Sequence, residues 1–146
     1  MKMINEIKVM LPKILELIEL LENYNKEIRG EIETHHNTHQ KILSILTAWE
    51  HHDLLLLESI MYIGQSDFVD RANYDSEYEY YQDIENIRGH YYSPEESLEN
   101  MYNYLLELKQ PYGVLIDHML AKLLLPRYLK QGLDVLRIKR IEEFSA

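Results

Sequence analysis

Leu54-Leu55-Leu56-Leu57-Glu58-Ser59-Ile60-Met61-Tyr62-Ile63-Gly64-Gln65-Ser66-Asp67-Phe68 is the most apolar stretch of the chain, and its reading decides the fold. Apolar side chains occupy nearly every face of a helical wheel here, which marks a helix buried all round rather than one lying on the surface. Thr47-Ala48-Trp49-Glu50 has the form of a capping box, with a hydroxyl for an unpaired helix N–H and a glutamate reaching back to the cap. Gly64 follows the last apolar residue, where a helix commonly ends in a left-handed position that favours a residue without a β-carbon. The expectation is a buried central helix over about 48–63, inside an all-α, single-domain bundle of five to seven helices.

Composition agrees with that class. The 146 residues suffice for one domain, 1–146, with a single core. Hydrophobic residues make up 46%, too many for a disordered acidic tail. The absence of cysteine excludes disulfides, thiolate metal sites and a cysteine nucleophile, and fits a cytoplasmic location. Met1-Lys2-Met3-Ile4-Asn5-Glu6 lacks the uninterrupted apolar core of a signal peptide, and no run reaches membrane-spanning length. A protein away from membranes, without a cofactor, is expected.

The net charge of −10 is unevenly placed. Between Asp67 and Glu99 ten acids face only Arg71 and Arg88, whereas between Lys109 and Arg140 seven bases face only Asp117 and Asp134. The overall acidic surplus argues against direct nucleic-acid binding, which depends on neutralising phosphates.

Outward from the central stretch, Ile4, Ile7, Leu11, Ile14, Ile18, Leu21 and Ile28 recur in steps of three and four, with Asn25 the one polar member. Leu15, Leu17 and Leu20 widen this into a bundle-type face. Pro12 predicts a kink or the true helix start, and Gly30 a break. Thr34-His35-His36-Asn37-Thr38-His39 has poor helix propensity, so a turn and then a short helix are expected before Thr47. Tyr74, Tyr78, Tyr81, Ile84 and Ile87 at helical spacing predict a short acidic helix capped by Ser76 and ending near Gly89. Ser93-Pro94-Glu95-Glu96 is a strong helix start, for a helix to about Lys109 burying Leu98, Met101, Tyr102, Leu105 and Leu108. Val114–Leu125 forms another helix, broken near Leu125 by Pro126, and a last short helix carries Tyr128 and Leu129.

The stretch Leu55–Phe68 resembles the signature of the domain of unknown function 3775 family, small bacterial helical proteins in which an apolar helix ends in Gly-Arg-Gly-Asp. His118-Met119-Leu120-Ala121-Lys122-Leu123-Leu124-Leu125-Pro126-Arg127-Tyr128-Leu129-Lys130-Gln131-Gly132-Leu133 is similar to that family's closing pattern, a Leu-Leu pair followed by Tyr-Leu-x-x-Gly-Leu. Gln65 and Ser66 stand where the family has arginine and a second glycine. The two stretches span 30 of the 146 residues, and the resemblance implies a small helical protein without an assigned activity.

Three groups of residues could carry chemistry. His35 and His39 have the i, i+4 spacing of a helical metal site; the plainer reading is solvated residues around a turn, because no complete ligand pattern surrounds them. Arg29 followed by His35 or His36 resembles the spacing of helical RNA-cleaving domains, in which the arginine steadies a phosphate and the histidine moves a proton. Tyr74, Glu77, Tyr78, Glu79, Tyr81 and Asp83 combine acid with rigid aromatic area, the composition of a binding surface. The sequence therefore favours a non-enzymatic interaction module that binds a protein partner or self-associates, a basic partner relieving the repulsion among the acids. The basic 122–140 region of a neighbouring copy could supply that partner. An RNA-cleaving enzyme and an acidic nucleic-acid mimic are the alternatives.

Overall fold

The computed structural model describes residues 2–33, 37–67, 73–87 and 93–140. Among the described residues every regular element is a helix: α1 Lys2–Ile28, α2 Thr38–Thr47, α3 His51–Asp67, α4 Glu77–Ile87, α5 Pro94–Glu107, α6 Tyr112–Leu120 and α7 Leu125–Val135. None of these helices is long and apolar enough to cross a membrane.

Helix α3 is the axis of the bundle. Leu54, Leu55, Leu56, Leu57, Ile60, Met61 and Ile63 are each at most 2% exposed, and α5, α6 and α7 pack against this helix. Its boundaries differ from those expected. Thr47 ends α2 instead of capping α3, because its hydroxyl donates back to the Leu43 carbonyl oxygen at 2.7 Å. Gly64 does not terminate α3; it lies buried within the helix, at the closest approach to α7. The absence of a β-carbon serves a helix end and a backbone contact equally well, and here it serves the contact.

Helix α1 runs unbroken through Pro12, whose ring faces solvent. Ile4, Ile7, Ile14, Leu17, Ile18 and Leu21 of its face are buried and Leu11 and Leu20 partly so, whereas Leu15 and Ile28 turn outward. Asn25, the polar member, donates from its side-chain amide to the Leu123 carbonyl oxygen at 2.8 Å and ties α1 to the α6–α7 connection. Gly30 does end the helix: at φ +72°, its N–H reaches Glu27 O and the next N–H reaches Lys26 O. At the other end, the buried Glu95 carboxylate accepts the Ile4 N–H at 3.2 Å. Glu95 thus serves the start of α1 as well as its own first turn.

Ser93 makes the expected capping box with Glu96. Leu108 lies one residue past the end of α5 and is exposed. Pro126 sits in the first turn of α7, where its missing N–H is harmless, so residues 121–124 separate α6 from α7.

Candidate interaction surface

Helix α4 carries the acidic, tyrosine-rich segment, and Ser76 starts it as expected, its Oγ accepting the Glu79 N–H at 3.2 Å. The helix has two faces with different tasks. Tyr80 is fully buried and donates to Asp134 Oδ2 at 2.5 Å, while the half-buried Tyr81 donates to Oδ1 of the same carboxylate at 3.1 Å. Asp134, on α7, is itself fully buried. Two phenols satisfying one buried carboxylate fix both the position and the roll of α4 on the bundle.

Tyr74 packs edge-on against Tyr80 with ring centroids 5.8 Å apart and donates its hydroxyl to Asp83. That hydrogen bond is the main reason the Tyr74 phenol is pushed above its ordinary pKa. Tyr74, Tyr81 and Asp83 therefore attach and brace the helix.

The outward face presents Glu77, Tyr78 and Glu79. Tyr78 is 72% exposed, and its hydroxyl accepts from Gln82 Nε2 at 3.1 Å. Glu77, Tyr78, Tyr81, Gln82 and Arg137 line a shallow cleft of about 440 Å³. The Arg137 guanidinium lies over the Tyr81 ring, 4.5 Å from its centroid, and Arg140 Nη1 pairs with Glu77 Oε1 at 2.9 Å. Two of the cations that a neighbouring copy could have brought to this helix, Arg137 and Arg140, thus meet it within the same chain.

The other candidates lie apart. Arg29 is exposed at the end of α1 and pairs with Glu31, whose carboxyl it holds below the ordinary value. His35 and His36 lie outside the described residues. His39 stacks on Tyr24 at 5.3 Å. Among the described residues no three His, Asp or Glu side chains converge as a metal site would require.

The structure also reveals a cluster that the residue patterns did not expose. Glu58, the one acid between Leu54 and Gly64, is fully buried, and its Oε2 lies 3.3 Å from His118 Nδ1 on α6. The Tyr62 hydroxyl lies 3.2 Å from His118 Nε2, and Lys122 Nζ stands 5.4 Å from the Tyr62 ring centroid. Burial pushes the Glu58 carboxyl above its ordinary value, opposed by His118 and Lys122. Burial and the Glu58 charge raise the Tyr62 phenol. A lone carboxylate in an apolar helix signals a buried partner, but that partner is 60 residues away in sequence.

Comparison with protein-family models, with characterised proteins and with solved structures finds no match to this chain.

Proposed function

We propose that the chain is a non-enzymatic, cytoplasmic protein-interaction module whose contact surface is the outer face of α4 and whose partner presents cations. The observation that carries this reading is the division of labour along one helix. Tyr80 and Tyr81 clamp α4 to Asp134, which leaves Tyr78 72% exposed between Glu77 and Glu79. A phenol on a clamped helix offers large contact area at little entropic cost, and the flanking carboxylates select a basic partner. Kinship with the domain of unknown function 3775 family belongs to the same proposal. It is supported by the meeting of the two similar stretches, which contact one another at Gly64 and Gly132.

The test is capture by the immobilised protein from an extract of its natural host, with wild type compared to Tyr78→Ala/Glu79→Lys. Reversing Glu77 or Asp83 would be a poorer choice, because Arg140 and Tyr74 depend on them. Proteins held by wild type at low salt and released at high salt should be absent from the double variant. Glu19→Lys, on the exposed side of α1, controls for net charge and should capture normally. An identical set of captured proteins on wild type and Tyr78→Ala/Glu79→Lys would refute the proposal.

A further inference from the structure

Resting on that interaction reading, we infer that the α4 cleft is a guanidinium-binding site held closed by the chain's own Arg137 and Arg140, and that an arginine-bearing segment of the partner displaces them. The cleft already contains the chemistry of arginine recognition. Tyr81 supplies an aromatic face, with Arg137 stacked 4.5 Å from its centroid, and Glu77 supplies a carboxylate, 2.9 Å from Arg140. The Tyr81 hydroxyl donates to Asp134, which enriches the ring in electron density and favours a cation over it. A planar guanidinium can stack and donate to a carboxylate at once, which an ammonium cannot do as well.

The backbone points the same way. Arg137 occupies the left-handed position after α7, at φ +59°, with its N–H on Asp134 O and the next N–H on Leu133 O. That is the position at which a helix favours glycine, as Gly30 shows at the end of α1. An arginine there carries a conformational cost, and its side chain is delivered onto Tyr81 in return. Arg140 is half-exposed and sits three residues on, so the closing segment is short, basic and at the rim of the cleft.

The closed cleft lowers the apparent affinity for an outside arginine by the fraction of time it is open. The probe is acetyl-Ala-Arg-Ala-Ala-Arg-Ala-amide, which repeats the spacing of Arg137 and Arg140, titrated calorimetrically into the full chain. Its lysine counterpart is titrated in parallel. Arg137→Gly/Arg140→Ala should bind the arginine peptide about tenfold more tightly than wild type. The lysine peptide should bind the same variant at least about fivefold more weakly than the arginine peptide. Equal affinity of wild type and variant, or equal affinity for the two peptides, overturns the inference. If the double variant does not fold, Arg140→Ala alone leaves the α7 terminus intact and must still tighten binding by a measurable factor. Concentration-dependent self-association that excludes the peptide would also overturn it, since a second copy would then be the occupant. If the tightening is absent while Tyr78→Ala/Glu79→Lys still abolishes capture of host proteins, the gate is refuted and the interaction surface stands.

Discussion

Gly64 and Gly132 meet backbone to backbone where α3 crosses α7: a β-carbon on Gly64 would lie 1.8 Å from the Tyr128 carbonyl oxygen and 2.6 Å from the Gly132 nitrogen. A β-carbon on Gly132 would lie 2.1 Å from the Ile60 carbonyl oxygen. No side-chain rotation relieves a clash with backbone, so either glycine-to-alanine change must push the two helices apart. Gly64→Ala and Gly132→Ala should each destabilise by at least about 3 kcal/mol, at or beyond the usual cost of overpacking. Gly113→Ala, where a β-carbon would meet nothing within 4 Å, is the control. Chemical denaturation of the three variants checks the contrast.

Leu56 is fully buried at the centre of the bundle. Leu56→Ala should cost about 2–5 kcal/mol, as removal of a packed side chain does when its surroundings cannot close in. A loss below about 1 kcal/mol in urea melts would mean that α3 is peripheral to stability.

Glu58 makes stability depend on pH. Its folded-state pKa is raised above the ordinary 4.5 by burial, so the folded protein keeps a proton that the unfolded chain releases. Stability therefore falls as pH rises from about 4.5 through the raised value, with a slope of up to about 1.4 kcal/mol per pH unit, and is level beyond it. Glu58→Gln should remove this slope, gaining on wild type between acid and neutral pH. His118→Ala removes a group that lowers the Glu58 pKa, and should extend the window to higher pH. Denaturation midpoints measured across the acid range separate these outcomes, and identical profiles for wild type and Glu58→Gln would contradict them.

Tyr80→Phe leaves Asp134 with one fewer donor in a fully buried position. The expected cost is about 1–3 kcal/mol. It should be accompanied by faster hydrogen exchange along α4, because the hydroxyl holds that helix to α7. Tyr78→Phe, on the exposed face, should change neither.

Local chemistry made much of this fold legible in the sequence. The unbroken apolar face of Leu54–Ile63 required burial, Ser93-Pro94-Glu95-Glu96 encoded its own capping box, and Gly30 ended α1. Part of what escaped was decided by partners distant in sequence, and part by where a helix ends. Gly64 looks the same whether it ends a helix or admits another backbone, and only Gly132 distinguishes the two. Thr47 could have capped α3, but its hydroxyl bonds one turn back within α2. Leu108 fits the α5 stripe, yet the helix ends before it. The acidic segment was recognisable as unusual, but its periodicity could not reveal that Tyr80 and Tyr81 face a buried Asp134 while Tyr78 faces solvent.

Recognition by the outer face of α4 is read out residue by residue in a backbone amide NMR titration of the full chain with acetyl-Ala-Arg-Ala-Ala-Arg-Ala-amide at low salt. Progressive shifts should be confined to Glu77, Tyr78, Glu79, Tyr81, Gln82 and the segment from Arg137 to Arg140, and be lost on raising the ionic strength. Shifts centred elsewhere, on the Glu58–His118 cluster or the end of α1, or no shifts at all at low salt, would contradict it.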